Sequence, residues 1–185
     1  MKKLLFTAAL VLSVGAFAQK NITKTVGVPF EISYPDSFKQ VEGEQENVVF
    51  QIFDQPNDFT LYIIQDPIED WRETPLFGSA EDVIKHYNST AIESLERNSA
   101  LKIGDIKTEA KNGMQYAYQN FEGDYKYTDY DDNGKEQTKF SKYAYVTVGI
   151  KTAKSTYSVY SFCPVKDKAK FEKIFKTVVA SIKEK

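Results

Sequence analysis

Asp129, Asp131, Asn133 and Gly134 fall at the first, third, fifth and sixth places of a calcium loop. Such a loop surrounds the ion with six to eight oxygens, two of them from a bidentate glutamate at place twelve. Here place twelve is Phe140, and the residues leading in, GDYKYTDY, alternate like a strand rather than a helix. Asn133-Gly134 between alternating segments is also a strong hairpin signal, because both residues accept positive φ. The stretch YTDYDDNGKEQTKF therefore reads as a long hairpin with an acidic tip. A weak calcium site at Asp129, Asp131 and Asn133 is the second reading.

Other chemistry is sparse. His86 is the one histidine and Cys163 the one cysteine, far apart in the chain. A Ser-His-Asp or Cys-His mechanism would need that imidazole as base beside a nucleophile. No Gly-x-Ser-x-Gly elbow accompanies it, and one His with one Cys does not make a usual zinc set. Carboxylates cluster at Glu42–Glu46 and in IEDWRE, Ile68–Glu73, where they read as solvated loop surface. The nine glycines are scattered through turns, with no phosphate-cradling run. Trp71, the one tryptophan, lies mid-loop with Arg72 and Phe77. Exposed Trp and Arg are enriched at binding hot spots, so these three are the candidate partner contact. The competing reading is that Trp71 and Phe77 pin the long loop onto the sheet. Tyrosines crowd the second half, from Tyr116 to Tyr160. They could stack on glycans or peptides, but strand propensity and cross-strand packing account for them better.

The elements that would position these residues begin after a leader. Lys2 and Lys3 precede an apolar run, Leu4–Gly15, and Ala16-Phe17-Ala18 supplies a small-x-small site, which predicts cleavage before Gln19. The expected destination is periplasmic or secreted, with no stable membrane span after cleavage. Removing eighteen of 185 residues leaves 167, enough for one domain with a sizeable core. Losing Lys2 and Lys3 takes the net charge from −2 to −4, the wrong sign for a nucleic-acid partner or an anionic membrane surface. A lone cysteine excludes an internal disulfide, so packing must supply the stability, and 14% of the chain is aromatic.

Val28–Tyr34, Val48–Phe53 and Phe59–Gln65 alternate and are separated by turn formers, predicting an antiparallel meander. A helix follows, opened by Ser79 with Asp82 three places on, closed by Asn98-Ser99, and apolar at Val83, Ile84, Tyr87, Ala91 and Leu95. Period-two segments then run from Leu101 to Cys163. In Lys139–Lys151, Ala144, Val146, Val148 and Ile150 share one face, while Tyr143, Tyr145 and Thr147 share the other. Asp167 can cap a last helix whose stripe is Phe171, Ile174, Phe175, Val178, Val179 and Ile182. The expected fold is α+β: a central antiparallel sheet of six to eight strands with a mid-chain and a C-terminal helix packed on it, an α/β/α-like sandwich.

FEISYPDSFKQV (Phe30–Val41), the central helix after a meander and long loop, and DKAKFEKIFKTVVASI (Asp167–Ile182) together resemble the PsbP-like superfamily. That superfamily groups the oxygen-evolving-complex subunit PsbP, a Ran-binding import factor and many bacterial secreted proteins. The resemblance implies a sheet with helices packed on it and a non-catalytic binding or accessory role. It carries over no residues for manganese retention or Ran binding, and no cofactor is expected. The expectation is an exported accessory protein contacting a protein or envelope component. A small-molecule, glycan or calcium binder, or more remotely a carboxylate-based hydrolase, is the alternative.

Overall fold

Alternation along the long strands sorts their side chains onto two faces, and each face receives one helix. The computed structural model describes residues 19–22, 28–43, 47–67, 76–96 and 101–185. In chain order the elements are β1 (Gln19–Ile22), β2 (Phe30–Tyr34), β3 (Lys39–Val41), β4 (Val48–Asp54), β5 (Phe59–Pro67) and α1 (Ala80–Glu96). They continue with β6 (Lys102–Ile103), β7 (Lys107–Lys111), β8 (Met114–Tyr130), β9 (Glu136–Lys151), β10 (Ser155–Pro164), α2 (Lys168–Ser181) and β11 (Lys183–Glu184). The main sheet is antiparallel and eight-stranded, in the order β3-β4-β5-β10-β9-β8-β6, with β7 also on β8. A smaller sheet, β1-β2-β11, lies apart from it.

One face of the main sheet carries Ala144, Val146, Val148 and Ile150 of β9 and meets Phe171, Phe175, Val178 and Val179 of α2 in the large core cluster. Phe59 stacks on Phe171 at 4.4 Å, and Phe38 tilts against both rings. Each such side chain contributes roughly 1.5–3 kcal/mol gross on burial. Phe30, Ile32 and Tyr34 of β2 join the same cluster, so the small sheet and α2 cover this face together.

The other face carries Tyr143, Tyr145, Thr147 and Gly149 and receives α1. Ser79 opens that helix as the spacing predicts: its hydroxyl accepts from the Asp82 amide (3.1 Å) and donates to the Asp82 carboxylate (2.7 Å). The helix lies on two glycines. A Cβ on Gly149 would sit 2.2 Å from the Ala80 carbonyl oxygen, and one on Gly123 would sit 3.2 Å from Leu95. Asn88, buried on the same face, donates to Gln119 Oε1 (2.8 Å) and Thr147 Oγ1 (2.9 Å).

Three expectations change. The first predicted strand does not open the meander: β2 pairs with β1 and β11, and the three-residue, fully exposed β3 takes the place beside β4. The turn after Tyr34, closed by Phe38 N–H to Pro35 O (3.1 Å), redirects the chain between the two sheets. Asp167 stands at the start of α2 but makes no side-chain cap; a short 3-10 turn, Val165–Asp167, leads in instead. Asn133 does not adopt positive φ; only Gly134 does at that tip (+75°). The expected end of the central helix at Asn98-Ser99 lies outside the described residues.

Gly149→Ala should lower stability by about 1–3 kcal/mol, the usual cost of overpacking. Thermal or urea unfolding would measure it. An unchanged midpoint would mean that α1 does not depend on this close approach.

Candidate functional site

Helix α1 covers only part of its face of the sheet, and the aromatic residues it leaves uncovered line a cleft of about 420 Å³. Ala91 and Leu95 of α1 form one wall. Tyr62 of β5 and Tyr160 and Phe162 of β10 lie across from it, because Tyr62 and Tyr160 are direct cross-strand partners. Their rings stack at 5.3 Å. Tyr143 and Tyr145 of β9 and Tyr125 of β8 complete the lining through edge and tilted contacts, with Tyr145 and Phe162 at 5.9 Å. A larger depression, about 550 Å³, beside Val41 and Phe53 shares Tyr62 and Phe162 with the cleft.

Among the described residues Asp58 is the one acidic or basic side chain in the lining. It sits in a left-handed conformation (φ +51°) where the 3-10 turn Gln55–Asn57 ends, and Tyr143 donates its hydroxyl to the Asp58 carboxylate. Burial pushes the phenols of Tyr62 and Tyr145 up to about 12 and that of Tyr160 higher still. These hydroxyls are neutral hydrogen-bonding groups throughout the physiological range. The Tyr160 hydroxyl is fully buried and has no hydrogen-bond partner among the described residues. No single residue signals this cleft in the sequence. The tyrosine alternation marks the face, and the seat of α1 on that face sets where the cleft lies.

Beyond the cleft, β8 and β9 run on as a two-stranded ribbon. Seven residue pairs, Asp124↔Lys142 to Tyr130↔Glu136, have no third strand beside them among the described residues. At about 3.4 Å per residue it extends roughly 20 Å. Tyr125 (53% exposed) and Tyr127 stand on one side, with Tyr130 (61%) and Phe140 (53%) on the other.

The acidic residues singled out in the sequence lie at the end of this ribbon. Asp131 Oδ1 accepts from the amides of Asn133 and Lys135 (both 2.9 Å), and Oδ2 accepts from Gln137 (3.3 Å). Asp129 pairs with Lys139 across the strands. A cation would meet two carboxylates already engaged, and no group of three or more His, Cys, Asp or Glu among the described residues is placed to hold a metal ion. Both carboxyls are held below the usual carboxylate range, Asp129 mainly by Lys139 and Asp131 mainly by the turn amides.

Phe77 packs on the helix, with its ring 5.2 Å from His86 and 5.9 Å from Tyr87. Trp71 and Arg72 lie outside the described residues. His86 is exposed on α1, while Cys163 is buried in the α2 cluster on the opposite side of the sheet, its thiol raised to about 11, chiefly by burial. The sheet separates the one imidazole from the one thiol.

A family model described as PsbP matches residues 27–183. The fold is similar to cyanobacterial PsbP (CyanoP) from Synechocystis sp. PCC 6803, at 15% identity and a TM-score of 0.54, covering 84% of this chain and 86% of that one. It is also similar to the Ran-binding protein Mog1p of Saccharomyces cerevisiae, at 7% identity and a TM-score of 0.50, covering 89% and 96%. LpqN of Mycobacterium tuberculosis, described as involved in cell envelope biogenesis, aligns at 12% identity and a TM-score of 0.47 over 90% of each chain. No protein of curated function matches the sequence significantly.

Because Asp131 titrates below its unfolded value, its turn contacts are at full strength above about pH 4 and fade as pH falls through the lower folded value. The amide shifts of Asn133 and Lys135 in an NMR titration should report that low midpoint, and Asp131→Ala should abolish it. A midpoint near 4 would refute the assignment.

Proposed function

The chain belongs to the PsbP family, and on that basis we propose that it is an exported, non-catalytic accessory protein that contacts a protein or other component of the bacterial envelope. The leader pattern in Met1–Ala18 supports export, with cleavage before Gln19. Among the described residues no helix is long and apolar enough to cross a membrane.

The observation that carries the contact role is the ribbon. A two-stranded hairpin with water on both sides is marginal by itself. Seven pairs of it, bearing exposed Tyr125, Tyr127, Tyr130 and Phe140, add little to the core while presenting aromatic area of the kind enriched in binding surfaces. Asp131 and the Asp129–Lys139 pair keep its tip ordered, which lowers the entropy cost of docking. Trp71, Arg72 and Phe77 are a second proposed contact region.

Cross-linking in the envelope fraction should recover a reproducible partner with the native chain. The Tyr130→Ser, Phe140→Ser double variant should recover at least tenfold less while its melting temperature moves by only about 2 °C, as exposed substitutions do. Equal capture by the variant, or repeated capture of nothing, would reject the proposal. The alternative, a small-molecule or glycan binder, is favoured by the aromatic cleft.

A further inference from the structure

We infer that Asn112 is a modification site, whose side-chain amide converts spontaneously to aspartate and isoaspartate through the Gly113 backbone nitrogen. The same dipeptide at Asn133-Gly134 is held back by its turn.

The reaction favours an asparagine followed by a residue without a Cβ, because the next backbone nitrogen must reach the side-chain carbonyl carbon. The chain has two such pairs, Asn112-Gly113 and Asn133-Gly134, and all four residues are exposed. Hydroxide takes the proton of the glycine amide, and the nitrogen attacks the asparagine side-chain carbonyl. A C–N bond forms, the bond to the side-chain nitrogen breaks, and ammonia leaves with a proton from water. Water then adds to either carbonyl of the cyclic imide and breaks one of its C–N bonds, giving aspartate or isoaspartate. In sum a water is consumed and an ammonia released, with no change of oxidation state.

Exposure does not distinguish the two pairs, but bonding and charge do. At the ribbon tip the Gly134 amide donates to the Asp131 carbonyl oxygen (2.9 Å). The Asp131 carboxylate accepts from the amides of Asn133 and Lys135 on either side of it (both 2.9 Å). To react, Gly134 must give up its bond while both neighbours stay fixed. The carboxylates of Asp131 and Asp132 also oppose the negative charge that develops on the attacking nitrogen.

At the other tip, Asn112 (φ +53°) and Gly113 (φ +77°) form a two-residue turn between the paired Lys111 and Met114. No backbone oxygen among the described residues accepts from the Gly113 amide. The charged residue next to this pair is Lys111, whose ammonium favours an anionic nitrogen. Release from one neutral hydrogen bond is worth about three- to tenfold in rate, and the charges act in the same direction.

Conversion at this tip reaches beyond the turn. Isoaspartate routes the chain through a side-chain carbon and lengthens the backbone of the turn that sets the register of β7 on β8. β7 is exposed along its whole length and pairs with β8 alone among the described residues, so this edge of the main sheet loosens.

The test incubates the mature chain in mildly alkaline buffer, folded and in urea, and follows both pairs by peptide mapping with isoaspartyl methyltransferase labelling. In the folded chain Asn112 should convert at least about threefold faster than Asn133. In urea, where the Gly134 bond is lost, that ratio should fall. Asp131→Ala should accelerate Asn133 in the folded chain by about threefold or more. Hydrogen exchange at Lys107–Lys111 should be faster in the converted fraction. Conversion of Asn133 as fast as Asn112 in the folded chain, conversion of neither, or one ratio in both solvents would overturn the inference. An unchanged Asn133 rate in the Asp131 variant would overturn the protection assigned to its turn, and unchanged exchange would overturn the loosening of β7.

Discussion

Helix α1 lies where it does because residue 149 has no side chain. With the Ala80 carbonyl oxygen 2.2 Å from the position a Cβ would take, the first turn of the helix rests on the backbone of β9. The rest of that layer follows from the close approach. Asn88 comes within reach of Thr147 and Gln119 and satisfies both from the helix, and Leu95 settles over Gly123 at the far end. Among the described residues, α1 leaves aromatic positions of β5, β9 and β10 lining a cleft. The cleft is the complement of that seat: its floor belongs to the sheet and its wall to the last turns of α1.

Local signals in the sequence are legible where one element determines its own pattern. The stripe of α2, the two faces of β9, the Ser79 cap and the Asn112-Gly113 turn, both residues at positive φ, depend on neighbours a few places away. β3 and β11 could not be read that way. They are three and two residues long, with no periodicity to detect, and only their distant partners define them. The misplacement of β2 has the same origin, since its alternation is clear but the sheet that receives it is not local information. Asn88 was hidden because a polar residue on an apolar helix face looks like an interruption until its partners on other strands are known. At Asn133, sequence type allowed positive φ, but the Asp131 carboxylate organises a turn that needs it only at Gly134.

Tyrosine carries three distinct physical roles in this PsbP-family chain, and composition alone cannot separate them. Tyr157 is wholly buried and ties Gln65 to Glu184 through its hydroxyl. Tyr62 and Tyr160 stack as cleft lining with no protein partner for either hydroxyl among the described residues. Tyr130 stands exposed on the ribbon, its hydroxyl donating to Glu136 opposite. The same ring is core, surface of a cavity or projecting contact according to which neighbours cover it. A count of twelve tyrosines therefore constrains function much less than the neighbours of each ring do.

The small sheet has a temporal consequence. Its central strand, β2, pairs at Glu31 with Lys183, and the Lys185 amide reaches Pro29, so the beginning and end of the domain are adjacent. Gln65 binds the Val28 backbone on both sides while Glu184 accepts from Tyr157 and Thr152, which sews this junction into the main sheet. A contact spanning about 150 residues closes a large loop, and its entropy is recovered only when the final residues are present. During synthesis the small sheet thus stays incomplete until β11 has left the ribosome. The topology withholds this closing step from any nascent chain that has not yet reached β11.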